Sequence, residues 1–207
     1  MGEPAGGPCW LTGDDPLMTA YHDREWGRPV TGERELYERL CLEGFQSGLS
    51  WRTVLAKRPA FREVFAGFDP VAVAGFGEAD VERLLLDARI IRHRRKIEAA
   101  ITNARAVLAL REGGQPLPDL AWSFAPLAGR RRPPAALADL PATTPVSAEL
   151  SKRLRTLGFA FVGPTTAYAA MQACGIVNDH LTDCPVRGEV ETERAAVLAG
   201  LTDQTGS

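Results

Sequence analysis

Lysine is nearly missing from this chain. Only Lys57, Lys96 and Lys152 occur, so almost all of the positive charge is arginine. The 24 basic and 26 acidic residues leave a formal net charge of −2, which gives no bulk electrostatic case for a nucleic-acid partner and leaves that role to local clusters. No apolar run approaches the length needed to span a bilayer. Met1-Gly2-Glu3-Pro4 lacks a basic, apolar signal segment, so a cytoplasmic location without a membrane partner is expected. Sustained alternation of apolar and polar residues is also lacking, as are hairpin-turn dipeptides between candidate strands, which argues against a sheet. Histidine is scarce: His22, His93 and His180 are the whole set.

What the chain does have is helical spacing. At 207 residues it can bury a real core, as one domain or two intimately packed lobes. Asp14-Asp15-Pro16 can start a short helix, and Thr31 can cap the next, with Glu33 and Glu35 complementing its dipole. Ser50 suits the cap of a helix carrying Val54, Leu55, Phe61 and Phe65. Asp69-Pro70 opens a brief helix to Phe76, and Ala79 to Asp87 gives another. A longer one from His93 to Arg111 repeats Ile97, Ile101, Ala104 and Leu108 and ends at Gly113-Gly114. Pro126 to Pro145 reads as an irregular connection, followed by helices from Ser147 to Leu157 and Pro164 to Ala173. The expected class is all-α without repeats. Residues 1–8 are expected to be disordered, 9–184 to form the domain as two packed helical lobes, and 185–207 to be a peripheral tail with a helix of its own.

Three constellations carry chemistry. In Leu42-Glu43-Gly44-Phe45-Gln46-Ser47-Gly48-Leu49-Ser50-Trp51, a carboxylate and an indole flank two glycines between two helical patterns. They can form a pocket for a flat, hydrogen-bonding, cationic ring, although a core tryptophan and a solvated glutamate fit the stretch taken alone. Cys9 and His22 near one end, with His180 and Cys184 near the other, suit a closed tetrahedral zinc site. Their spacing is not that of a zinc finger, and buried thiols with ordinary histidines fit equally well. Cys41 and Cys174 read as packing residues. Gly158-Phe159-Ala160-Phe161-Val162-Gly163-Pro164 lies between two helices and is similar to the hairpin of a helix-hairpin-helix DNA-binding module, with Phe161 standing at the first glycine. Glycine there lets a phosphate approach the backbone, and the free N–H groups of the next helix bind it; an ordinary helical corner fits as well.

Taken in order, Cys9-Trp10, Tyr21-His22-Asp23-x-Glu25-Trp26-Gly27, Cys41-Leu42-Glu43-Gly44, Ser47-Gly48-Leu49-Ser50-Trp51, Ile90-Ile91-Arg92-His93, the hairpin and Met171-Gln172-Ala173-Cys174-Gly175-x-Val177-Asn178-Asp179-His180 closely resemble the DNA-3-methyladenine glycosylase I family. The resemblance covers about Cys9 to Cys184 and is far more specific than any one block. It implies an all-α, helix-hairpin-helix glycosylase domain acting on double-stranded DNA with alkylated purines; a monomer is the expectation, although sequence does not give oligomeric state. It also implies one structural zinc per chain on Cys9, His22, His180 and Cys184, closed to water by its four protein ligands.

The family's base pocket falls on Tyr21, Glu43 and Trp51, with Trp10 nearby. Methylation at N3 places a positive charge on the base in its nucleotide and weakens the glycosidic bond, so the lesion flips and departs readily. Trp51 and Trp10 would stack on it, with a cation–π contribution of about 0.5–2 kcal/mol. Glu43 would accept from the exocyclic amine as the catalytic-site carboxylate, mainly by recognition. Tyr21 would hydrogen-bond the base edge. Gly163, Thr165, Leu49 and Arg92 are the expected DNA contacts, Leu49 as a wedge or as simple loop packing. Arg94, Arg95, Lys96 and the Arg130-Arg131-Arg132 run are further phosphate candidates, with solvated charge as the ordinary reading. Lyase-competent relatives carry a lysine where Thr165 stands, so a monofunctional enzyme leaving an abasic site is expected. Asp183, where superfamily relatives often keep a catalytic aspartate, is expected only to flank the metal. Three departures stand out: Cys9 and Trp10 adjoin without an intervening glycine, Met18 replaces an aromatic, and Phe45 a polar residue. Two rival readings are a zinc-stabilised, non-catalytic nucleic-acid module and an open-site zinc hydrolase.

Overall fold

The computed structural model describes residue 9, residues 15–127 and residues 131–205, with side chains described to 201. Ten α-helices connected by loops and two short 3₁₀ turns make up these residues, so the chain is all-α. The expected N-terminal disorder over 1–8 lies outside the described residues, as do Trp10 and Arg130.

Helix α1 (Pro16–Arg24) starts where Asp15 accepts a 2.9 Å bond from the Leu17 N–H, with Pro16 in the first turn, where its missing N–H costs nothing. Helix α2 (Glu33–Gln46) forms the centre of the molecule. Its cap is Gly32 without a side-chain bond, not Thr31, because the chain turns helical one residue later than the Thr31 hydroxyl requires. This helix runs through Glu43, Gly44 and Phe45, so Gly44 belongs to the helix and not to the junction. A Cβ added at Gly44 would lie 3.6 Å from Phe161. The junction is Ser47 to Ser50, where Gly48 takes φ +81°.

Ser50 caps α3 (Trp51–Val64), accepting from the Thr53 N–H at 3.3 Å. Helices α4 (Pro70–Ala74), α5 (Glu78–Leu86) and α6 (Arg94–Glu112) follow, close to expectation. A helix the sequence pattern did not announce, α7 (Leu117–Trp122), is short, with Pro116 as its cap and Pro118 in its first turn, leaving too few turns to show a period. Its Trp122 indole donates to the Val30 carbonyl at 2.8 Å. After the irregular connection come α8 (Pro145–Thr156), capped by Thr144, and α9 (Pro164–Ala173).

Helix α2 packs against α3, α6, α7 and α9, and α8 packs on α9. Tyr37, Phe45, Phe61, Phe65 and Phe68 are fully buried between them. Phe45, which replaces a polar residue, therefore belongs to the core, 4.6 Å centroid to centroid from Phe61. Helix α10 (Arg187–Thr205) lies in the segment expected to be a peripheral tail. Its Val190 and Arg194 are buried, and Arg194 donates to the carbonyls of Gly175 and Ile176 at 2.7 and 2.8 Å. No helix among the described residues is long and apolar enough to cross a membrane.

Candidate functional site

Two structured places lie side by side. The first is a cavity of about 150 Å³ lined by Tyr21, Trp26, Glu43, Gln46, Trp51, Ala169 and Gln172. A cavity of about that size in another protein takes benzene, so a flat ring is a fitting guest. Four helices build it. Glu43 and Gln46 are three apart on α2, Ala169 and Gln172 three apart on α9, and both pairs thus share a face. Tyr21 comes from α1, and Trp51 is the first residue of α3. Tyr21 and Trp51 stand 5.3 Å apart between ring centroids, tilted at 43°. Arg58 grips Glu25 with two bonds of 2.6 and 2.8 Å and lies 6.0 Å from the Tyr21 ring centroid, fixing that wall.

The electrostatics are unusual for a protein interior. Glu43 is buried, and among the described residues no donor reaches its carboxylate. Burial pushes its carboxyl up to about 8, against the opposing pull of the Arg39 guanidinium. Burial first, and the Glu43 charge second, drive the Tyr21 hydroxyl well above its ordinary range, so it remains a neutral donor. The Trp51 indole N–H is buried too, with no acceptor among the described residues. A carboxylate without donors and an indole without an acceptor are costly in an empty wall and useful around a polar guest.

The second place brings Cys9, His22, His180 and Cys184 together. All four are buried, and their ligand atoms lie within 4.8 Å of one another. His180 Nδ1 is 3.1 Å from His22 Nε2, and Cys184 Sγ is 3.4 and 3.5 Å from those two nitrogens. A tetrahedral zinc with ordinary bonds would need about 3.3 Å between nitrogens and about 3.6 Å from nitrogen to sulfur, so the set fits a zinc ion. The remaining ring nitrogens are spoken for: His22 Nδ1 donates to Asp23 at 2.7 Å and His180 Nε2 to the Trp26 carbonyl at 3.0 Å. That leaves both opposing nitrogens as lone pairs. Burial opposes ionisation of Cys9, but the adjoining His180 and His22 side chains carry its thiol down to about 5. By contrast, burial raises Cys41 and Cys174 to about 12, as befits packing residues.

The DNA-contact candidates divide. Gly163 is the N-cap residue of α9, and a Cβ added there would meet nothing within 4 Å. Thr165 is exposed beside it. Asn103 holds the hairpin by both of its amide ends, accepting from the Ala160 N–H at 2.7 Å and donating to the Ala160 carbonyl at 3.1 Å. Ser151 donates to the Val162 carbonyl at 2.6 Å. Phe161 takes φ +56° where a glycine would be unstrained, 40% exposed and edge-on to His93. Leu49 and Arg92 are exposed, and Arg92 has no salt bridge among the described residues.

Three other cations have internal work. Arg94 pairs with Glu78 at 2.8 Å and with Glu82, and Arg131 pairs with Asp179. Lys96 is buried, donating to the carbonyls of Phe45 and Ser47 at 2.9 and 2.6 Å. It thus caps the C-terminus of α2 and secures the Leu49 loop, and it is not a phosphate contact. Asp183 is exposed and is not part of the cavity lining.

A helical protein in which a buried carboxylate and an indole line one cavity beside a Cys₂His₂ cluster has, as a class, a site shaped for a flat, polar guest next to a set of residues that could hold a metal ion. The family model for methyladenine glycosylase matches residues 10–187. DNA-3-methyladenine glycosylase 1 of Escherichia coli (strain K12) is 51% identical over 176 residues, covering 85% of this chain and 94% of that protein. DNA-3-methyladenine glycosylase of Haemophilus influenzae is 43% identical over 179 residues, 86% of this chain and 97% of its own. A crystal structure of 3-methyladenine DNA glycosylase I superposes with a TM-score of 0.83 at 50% identity, over 86% of this chain and 98% of that one. The chain belongs to the methyladenine glycosylase family, within the helix-hairpin-helix glycosylase superfamily.

Proposed function

We propose that the protein is a monofunctional DNA glycosylase that excises 3-methyladenine from alkylated duplex DNA and leaves an abasic site. The observation that carries this is Glu43: a buried carboxylate, without a donor among the described residues, in a cavity walled by Tyr21 and Trp51. A 3-methylated adenine in its nucleotide is a cation with N–H donors, and it answers both of that wall's unmet needs. Its charge favours the ionised carboxylate, and its exocyclic amine donates to it. The Trp51 indole offers a face for the cationic ring and a donor for a ring nitrogen. Tyr21 stays protonated and closes the opposite side.

The chemistry asked of the protein is modest. A positively charged purine is already a good leaving group, so holding it extruded and oriented does most of the work. Glu43 gains charge stabilisation as its cationic guest arrives. Thr165 at the start of α9 offers no amine for a Schiff base, which supports hydrolysis without strand cleavage. The exposed Leu49, on the loop held by Lys96, is the wedge for the vacated stack. Gly163, Thr165 and Arg92 face the phosphates.

The Cys9, His22, His180 and Cys184 set would hold one zinc. With four protein ligands the ion would supply a cross-link between distant chain segments and no activated water, which disfavours the open-site hydrolase reading. The deciding experiment follows free bases released from methylated DNA, with the duplex analysed without heat or alkali. Release of 3-methyladenine with unbroken strands is expected. Nicked strands would remove the monofunctional part, and no release would remove the whole.

A further inference from the structure

One cavity residue lies outside the Tyr21, Glu43 and Trp51 set yet is held more firmly than any of them. Gln172 is buried and lines the pocket, and its Nε2 donates to Asp179 Oδ2 at 2.8 Å. Asp179 is fully buried in a nest of donors. Arg131 pairs with its Oδ1, and the Tyr168 hydroxyl donates to Oδ2 at 2.6 Å while itself accepting from Arg131 at 2.7 Å. A carboxylate paired in this way has only lone pairs left to offer. It can therefore meet only the NH₂ end of the Gln172 amide. The amide has one orientation, and Oε1 is its free end, with no hydrogen-bond partner among the described residues.

We propose that Gln172 sorts purines by the group at C6, accepting 6-amino and rejecting 6-oxo bases, and that Asp179, Tyr168 and Arg131 are positioning residues that set the sign of that choice. The inference rests on the pocket being a purine site. An exocyclic amine carries two N–H donors, and the residues lining the pocket include acceptors for them in the Glu43 carboxylate and Gln172 Oε1; Gln46, whose Nε2 donates to the Leu49 carbonyl at 2.9 Å, lies in the same lining. A 6-oxo purine brings an acceptor in place of the amine. It repels the Glu43 and Gln172 oxygens and leaves Oε1 buried without a donor, which is how a polar site discriminates strongly.

The network also says how the choice can be reversed. In Asp179→Asn, Arg131 still demands an oxygen, so the new amide nitrogen must take the position that faces Tyr168 and Gln172. Tyr168 can accept from it, and Gln172 must turn its Oε1 toward it. The NH₂ of Gln172 then faces the pocket as a donor.

The test measures binding of free 3-methyladenine and free 3-methylguanine by tryptophan fluorescence, alongside release of both bases from methylated DNA. Wild type, Gln172→Met and Asp179→Asn are compared, with metal content and Tm recorded for each. Wild type is expected to favour 3-methyladenine. Gln172→Met should shrink that preference about tenfold with metal content unchanged, and Asp179→Asn should shift it further toward 3-methylguanine than Gln172→Met does. A preference in Gln172→Met equal to that of wild type overturns the proposal, as does an Asp179→Asn protein that keeps its metal and the wild-type ratio. A wild type that binds bases selectively yet releases none refutes the repair reading and leaves this one standing. Wild type that neither binds nor releases either base defeats both.

Discussion

Tyr21 and His22 are consecutive residues of α1 that serve different sites: the Tyr21 ring stands 5.3 Å from Trp51 in the base cavity, and the His22 ring 4.7 Å from His180 in the Cys₂His₂ cluster. Trp26 joins the two a second time, since its side chain lines the cavity while its carbonyl takes the His180 Nε2 proton. The cluster is thus the anchor of one pocket wall as well as a tie between chain segments far apart in sequence.

Removing the metal should therefore cost both stability and base binding. Tying residues 9 and 184 together closes a long loop, which in chain-entropy terms is worth about 5 kcal/mol. At roughly 2–4 °C per kcal/mol for a chain of this size, strong chelation or Cys184→Ser should lower Tm by about 10–20 °C. Metal analysis should find one zinc per chain in the untreated protein. Scanning calorimetry with and without chelator checks the stability, and an unchanged Tm after verified metal loss would contradict the clamp.

Glu43 should leave a mark on stability as a function of pH. Its folded pKa of about 8 lies above the ordinary carboxylate value of 4.5. The folded state thus holds the proton more tightly, and this stabilising contribution is complete below about pH 4.5 and lost as pH rises through 8. Across that window the loss is on the order of 3–5 kcal/mol. Glu43→Gln cannot ionise, so its Tm should match wild type near pH 4.5 and exceed it at pH 8.5. Parallel melts across pH measure this, and identical curves would deny the carboxylate its buried, unpaired setting.

The same group should govern activity in the opposite sense. If the carboxylate is the form that receives a cationic base, kcat/KM should climb with pH, close to tenfold per unit below about pH 8, and then level. Glu43→Gln should excise about 10- to 100-fold more slowly and show no such rise. Single-lesion duplexes assayed from pH 6 to 9 give both profiles. Turnover in Glu43→Gln equal to that of wild type would remove Glu43 from the mechanism.

Most of this was legible before any coordinates, for reasons that differ from site to site. Helices with long periodic faces, such as α6, and those with a side-chain cap, such as Ser50 on α3, announced themselves through local rules. So did the family blocks that bring Glu43 and Trp51 to one cavity. Helix α7 was not legible, because six residues with a proline in the first turn show no period. Neither was the burial of Lys96: its place in an arginine-rich run reads as a phosphate contact, and only the fold reveals that the Phe45 carbonyl of α2 and the Ser47 carbonyl of the junction claim its ammonium. Gln172 falls within a family block, but nothing in that block points to a role for it. Its significance depends on Asp179, seven residues on, meeting it across a turn that sequence spacing does not specify.

Arg92 separates positioning on DNA from recognition of the base. It is exposed and unpaired among the described residues, next to His93, whose ring meets Phe161 of the hairpin. Lysine scarcity and the net charge of −2 leave few free cations to neutralise phosphates, so each one should count. Arg92→Ala should weaken duplex binding at low salt and reduce the slope of log affinity against log salt by about one. Affinity for free 3-methyladenine should be unchanged. Salt titrations by fluorescence anisotropy measure the first, and tryptophan quenching by the free base the second. A variant with the wild-type salt slope would place the phosphate contact elsewhere. A variant that lost free-base affinity would mean that Arg92 acts on the pocket and not on the backbone.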